Sequence, residues 1–321
     1  MHNQTLLTGA RTLGMVAVAL SGACDDMAPD GPDGQITNRS EQFNGIRLNG
    51  IRLNGIRLNG IRLNGIRLNG TPLNGGDPSE YIEVLGIALK GQATGTASWL
   101  VGSQLHIQSS SGPVLSGAGL DKATIEFDVL ETGKGKKFKT VKFEGYGLLA
   151  PGSDVATFSL KLKDGGWHSL CENNTDVILL GDLWDPASGD RITGAPADAL
   201  TFACRGDALA KCVEEGYRPW ASVAGTSLRD HHQACTRMLR ADYCGDGVPH
   251  TSDGTPIHVL DALGIQTAEP GIDYVVEAEW GPDGATCLNA ANTRLPGVVV
   301  DCGLPACGAS FTSGGLIQSG K

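Results

Sequence analysis

The densest set of groups able to move protons or hold a cation lies between residues 230 and 261. It runs Asp230-His231-His232, then Asp242, Asp246, His250, Asp253, His258 and Asp261. Hydrolysis needs a base, an acid to orient it, and a nucleophile or metal-bound water within hydrogen-bonding reach. His232 with Asp242 or Asp246 could supply the first two, which makes His232, Asp242 and Asp246 the catalytic candidates. The competing role for His232 is that of a core histidine bonded to a carbonyl. Cys235 is close enough in sequence to serve as a nucleophile, but only as a free thiolate. Asp246 and Asp253 sit in a glycine-rich stretch and are the candidate calcium ligands, since Ca²⁺ takes roughly six to eight oxygens. Their spacing does not match an EF-hand, and Gly245-Asp246-Gly247 and Asp253-Gly254 are also ordinary turn formers. No glycine-rich phosphate loop, Gly-x-Ser-x-Gly elbow or His-Glu-x-x-His pair is present. The sequence therefore identifies no reaction and calls for no cofactor.

The cysteines bear most directly on the scaffold behind these residues. Besides Cys24 there are eight, all in the C-terminal half: Cys171, Cys204, Cys212, Cys235, Cys244, Cys287, Cys302 and Cys307. Even parity in an oxidising compartment points to as many as four disulfides. Zinc would call for two close cysteine pairs, and only Cys302 and Cys307 are close. Cys204–Cys212, Cys235–Cys244 and Cys302–Cys307 are the short-range possibilities, with the connectivity left open.

The first residues look like a targeting segment. His2 and Arg11 precede any acid, and an apolar run over 12–20 follows (TLGMVAVAL), too short to span a bilayer. Ser21-Gly22-Ala23-Cys24 then resembles a bacterial lipoprotein signal, which implies acylation of Cys24 after removal of 1–23; ordinary cleavage after Ala23 is the alternative. The resemblance implies a protein of the cell envelope, outside the cytoplasm, lipid-anchored at the outer membrane or cell surface. Residues 24–43 are rich in Pro, Gly and Asp and should form a flexible tether. Over 44–76, Ile-Arg-Leu-Asn-Gly recurs five times and ends in Thr-Pro-Leu-Asn-Gly. This resembles the pentapeptide-repeat family, in which Leu48, Leu53, Leu58, Leu63, Leu68 and Leu73 would line a β-solenoid. A mobile amphipathic stalk is the other reading.

Composition narrows the rest. The chain has 321 residues, 46 of them glycine, and only 5% aromatics, which suits short strands and many turns. Residues 1–76 carry seven basic and five acidic side chains, a balance of +2, so with a net charge of −10 the remainder carries −12. An acidic body excludes nucleic acid as the main partner, because phosphate neutralisation needs clustered Lys and Arg. The expected partners are the membrane, through lipid on Cys24, and an envelope glycan or protein.

The expected fold is α+β, mainly β. An antiparallel β-rich part over 80–170, sandwich or barrel-like, precedes a disulfide-rich part over 171–310 with two short helices; 311–321 is left as a tail. Strands are predicted at 82–89, 98–101, 104–108, 123–130, 139–143 and 156–163 from their alternation. The lysines of 133–137 are predicted at a hairpin tip. Helices are predicted over 208–215, capped by Asp207, and over 228–240, with Ser227 and Asp230 as a capping box. On the second helix Leu228, His232, Cys235 and Leu239 share one stripe. A hairpin is predicted around Gly281-Pro282-Asp283-Gly284.

The string His232-Gln233-Ala234-Cys235-Thr236-Arg237-Met238-Leu239-Arg240-Ala241-Asp242-Tyr243-Cys244-Gly245-Asp246-Gly247 resembles the signature of the ADYC domain of myxobacterial and related secreted proteins. Gly216-Tyr217-Arg218-Pro219-Trp220, Asp253-Gly254-Thr255-Pro256-Ile257, Trp280-Gly281-Pro282-Asp283-Gly284 and the preceding Leu-Asn-Gly repeats are similar to further elements of that family. The resemblance implies location and architecture over about 80–310, and no activity. Two functions remain in view: a binding or structural module on the cell surface, and an extracytoplasmic hydrolase using His232 and nearby aspartates.

Overall fold

The computed structural model describes residues 41–44, 66–67 and 80–321, apart from 92, 132–134, 185–188, 193–198, 253, 268–272, 309–310 and 312–313. The signal segment, Cys24, most of the tether and repeats, and Asp253 lie outside the described residues.

Alternation builds the middle of the large sheet. In Gly135–Leu148 and Ala156–Asp164, Val141, Phe143, Leu160 and Leu162 are buried, while Lys142 and Lys161 occupy the other face. The sheet has eight strands and antiparallel pairing throughout. Its spatial order is Ile66–Arg67, Ala199–Cys204, Val177–Leu180, Ala156–Asp164, Gly135–Leu148, Thr124–Glu131 and Glu80–Ala88, with Gly166–Ser169 also paired to Ala156–Asp164. A three-stranded sheet, Gly95–Val101, Gln104–Ser109 and Val114–Ser116, lays Leu105 and Ile107 over Ile125, Val141, Phe143 and Phe158. The packing is two-layered, and no barrel closes among the described strands.

All six predicted strands are present, most of them longer than expected. Gly135–Lys137, predicted at a hairpin tip, already pairs with Glu131–Val129. The large sheet also continues past residue 170, because Val177–Leu180 and Ala199–Cys204 join it. Val177 to Leu180 are buried on both faces, so this strand shows a continuous apolar run rather than an alternation.

A second, five-stranded sheet has the order Glu41–Asn44, Thr255–Asp261, Ile317–Gly320, Val276–Gly281 and Gly284–Leu288. Two expectations are corrected here. Residues 317–320, set apart as tail, form a fully buried central strand. Residues 41–44, assigned mostly to the tether, pair with Thr255–His258 at the edge. Ile-Gln-Ser-Gly offers no hydrophobic alternation, so its place depends on the two strands that flank it.

The helices are α1 (Ala208–Glu214) and α2 (Arg229–Arg240). Gly216 ends α1 at φ +97°. Asp207 occupies the N-cap position of α1 but makes no side-chain capping bond. At α2 the N-cap is Leu228; the Ser227 hydroxyl accepts from the Arg229 N–H at 3.3 Å instead of forming the expected box.

Four disulfides close the body: Cys171–Cys204, Cys212–Cys235, Cys244–Cys302 and Cys287–Cys307, with Cα separations of 5.0 to 5.8 Å. All eight cysteines are used, and none of the three short-range pairings forms. Cys235 faces α1 from within α2, where it meets Cys212, whereas Cys244 lies beyond the end of that helix. Each cysteine pairs with the element its own secondary structure turns it toward, which sequence distance does not encode.

Candidate functional site

Helix α2 is buried from His231 to Arg240, its polar face included. Two guanidinium groups thus enter the interior, which costs several kcal/mol per ion unless each is paired. Arg237 Nη1 donates to Asp242 Oδ2 at 2.5 Å, Nη2 to Asp190, and Nε to the Pro282 carbonyl at 3.2 Å. Arg240 Nη2 donates to the Gly247 carbonyl at 2.6 Å and Nη1 to Asp242 at 3.4 Å. Asp242 also accepts the Gly247 N–H at 3.1 Å. The carboxylate therefore ties the end of α2 to the turn that follows.

A second buried pair lies beside the first. Glu277 accepts from Arg294 Nη2 at 2.6 Å and Nε at 2.9 Å, from the Tyr243 hydroxyl at 2.6 Å, and from the Ser319 hydroxyl at 2.8 Å. Arg294 Nη1 donates to the Met238 carbonyl at 2.8 Å. Burial pushes the Glu277 carboxyl up, but the Arg294 charge and the bonds from Arg294, Tyr243 and Ser319 together hold it below the usual carboxylate range. The Tyr243 ring stacks on Trp280 at 5.2 Å. Arg294 lies over the same indole at 5.7 Å.

Each residue of Ala241-Asp242-Tyr243-Cys244 thus has a mechanical task. Ala241 ends α2 in the left-handed region at φ +52°. Asp242 neutralises two arginines, Tyr243 reaches Glu277, and Cys244 bridges to Cys302. Residues 100–294 match the ADYC domain. The chain belongs to the ADYC domain family. No curated protein and no solved structure matches it. In this ADYC domain the matched span ends at Arg294, the cation of the second buried pair. The strand Ile317–Gly320 and the partners of Cys244 and Cys287 lie beyond that point.

The described histidines and aspartates between 230 and 261 are not assembled into one site. His232 is wholly enclosed; its Nε2 donates to the Leu209 carbonyl at 3.0 Å, and its Nδ1 has no hydrogen-bond partner among the described residues. No hydrogen bond joins it to Asp242 or Asp246 among the described residues. His231 is buried and stacks with Tyr217 at 6.3 Å. Asp261 accepts from the Tyr217 hydroxyl and from the N–H groups of Leu263, Ile265 and Gln266. His250 Nδ1 donates to the Ala241 carbonyl, and Asp230 pairs with Arg191. Asp246 is exposed and accepts the Val248 N–H at 2.9 Å, a local turn. Its calcium companion Asp253 lies outside the described residues. Among the described residues no three His, Cys, Asp or Glu side chains converge as metal ligands. Cys235 is in a disulfide and has no thiolate to offer.

Sequence alone does not single out Arg237, Glu277 and Arg294. One signal for Glu277 was present: Val-Glu-Ala-Glu-Trp places two carboxylates in a strand bounded by large apolar residues. The cation of Glu277 is Arg294, 17 residues away, so the spacing could not pair them.

Enclosure of His232 has a measurable consequence. Burial lowers its pKa from 6.5 to about 4, against the opposing pull of the Leu209 carbonyl. The unfolded chain therefore takes up a proton near pH 6.5 that the folded chain refuses until about pH 4. Stability is full above pH 6.5 and falls as the pH drops toward 4, by about 3 kcal/mol in total. His231 is also pushed down by burial and contributes in the same direction. The difference between wild type and His232→Gln, which can still donate to Leu209 but does not titrate, isolates the residue. Urea unfolding from pH 7 to 5 should show a shallower pH dependence in the variant. Identical slopes would mean that His232 binds its proton equally well in both states.

Proposed function

We propose that this ADYC-domain chain is a non-catalytic envelope module, exported and held to a membrane by lipid on Cys24. Its Ile-Arg-Leu-Asn-Gly repeats act as a stalk that presents the domain to a glycan or protein outside the cytoplasm, and the domain is of the type found in myxobacterial and related secreted proteins. The observation that carries the reading is the disulfide set. All eight cysteines beyond Cys24 are bridged, and such bridges persist in oxidising compartments. No helix among the described residues is long and apolar enough to cross a membrane; the attachment proposed is the lipid on Cys24. The hydrolase alternative gains no support from the geometry, since His232 has no solvent access and Asp242 is already bonded to two arginines and a backbone N–H.

Intact mass of the mature protein from membrane fractions tests this directly. The expected product begins at Cys24, carries acyl chains, and lacks the hydrogens of four thiol pairs. Recovery of a full-length chain with alkylatable cysteines from the cytoplasm would overturn the reading.

A further inference from the structure

Of the nine large hydrophobic side chains exposed among the described residues, Trp99, Val101, Val114, Tyr146 and Leu148 make five. Three of them lie on the outer face of the three-stranded sheet, and the other two lie on the strand Gly135–Leu148. Cross-strand register sets Trp99 opposite His106 and Val101 opposite Gln104, and carries His106 on to Ser116. The Trp99 and His106 rings stack at 5.6 Å, only 10° from parallel. Tyr146 is contiguous with this grid. A Cβ on Gly117 would lie 3.1 Å from the Tyr146 ring and 3.3 Å from Gln104 Nε2, so phenol and amide flank the same glycine.

Two features decide what such a face fits. The three strands contain no Asp, Glu, Lys or Arg, in a chain that is 19% charged, so neither an acidic nor a basic polymer finds a counter-charge here. The face is also small. At about 4.8 Å between strands and 3.3 Å per residue it covers roughly 300 Å², well below the ~800 Å² per partner of a stable protein interface. What remains is a small neutral ligand with a flat apolar side and hydroxyl groups at its edge. Aromatic faces accept the C–H side of a pyranose ring. Gln108 donates its amide N–H groups to the Ser109 and Gly112 carbonyls, which leaves its oxygen as an acceptor. The Gln104 amide and the Ser116 hydroxyl supply further polar groups.

We propose that this face binds a neutral polysaccharide, with Trp99 and Tyr146 as stacking planes and Gln104, Gln108 and Ser116 meeting its hydroxyls. The assignment rests on the binding-module reading and names the ligand class for it.

The test uses the purified mature chain in affinity electrophoresis against laminarin, mannan and dextran, with polygalacturonate as the charged control. At least one neutral polymer should retard it, equally at low and high salt. Trp99→Ala should weaken retardation at least tenfold, as should Tyr146→Ala, with thermal midpoints unchanged. Trp167→Ala, which removes an exposed tryptophan elsewhere on the body, should leave retardation as in wild type. Failure of every neutral polymer to bind, undiminished binding by Trp99→Ala, or salt-sensitive binding to polygalacturonate alone would overturn the proposal. So would self-association by sedimentation that Trp99→Ala abolishes, because the face would then belong to a second copy. None of these outcomes bears on acylation or location, so the envelope reading stands or falls by its own mass measurement.

Discussion

Arg294→Met should destabilise the domain by about 3–5 kcal/mol, the range for removing one partner of a buried ion pair. Arg294 and Glu277 are both essentially without solvent, at 2% and 1% side-chain exposure. The loss would come mainly from the stranded Glu277 carboxylate, which keeps its bonds from Tyr243 and Ser319 but loses the opposing charge. That carboxylate would then take up a proton at a higher pH, and the variant should recover part of its stability on mild acidification. The double variant Arg294→Met/Glu277→Leu should be more stable than the single one, because no charge is left behind. It should remain below wild type, since the Tyr243 hydroxyl loses its acceptor. Urea unfolding at pH 7 measures all three chains. A single variant within about 1 kcal/mol of wild type would mean that water reaches Glu277 and that the pair is not a keystone.

This network marks where sequence and fold part company. Local features were legible because local physics sets them. Alternation gave four strands of the large sheet and two of the small one, glycine and proline gave the hairpin at 281–284, and cysteine parity gave four bridges. Both helices were found to within a residue or so of their ends. What stayed hidden was every pairing over a distance. Ile317–Gly320 is a central strand only because Thr255–Asp261 and Val276–Gly281 lie on either side of it. Cys244 finds Cys302 across 58 residues. The stripe on α2 identified an apolar face correctly, yet the opposite face is buried as well, since Asp190, Asp242, Pro282 and Gly247 close over its arginines. The histidine and aspartate cluster had the composition of a site, but sequence proximity left its members on separate elements, each bonded to its own backbone surroundings.

Gly245→Ala should be among the most damaging single methyl additions in the chain. Gly245 has φ +70°, and a Cβ there would lie 1.9 Å from the Asp283 carbonyl oxygen. Across the same contact, a Cβ on Gly284 would lie 2.8 Å from Gly245 N. The turn after α2 and the tip of the hairpin 281–284 therefore meet backbone to backbone, with no side chain able to yield. Left-handed geometry alone costs alanine about 1–2 kcal/mol. Moving one of two packed backbones, one of them anchored by Cys244–Cys302, should add roughly 2–3 kcal/mol. Gly225→Ala supplies the control, because Gly225 has φ +83° with nothing within 4 Å of its would-be Cβ. It should lose only the conformational part. The excess loss at 245 over 225, read from urea midpoints at constant m, measures the close approach itself. Equal losses at the two glycines would mean that the turn and the hairpin can part without cost, and the tight junction behind the Asp-Tyr-Cys string would then have no energetic weight.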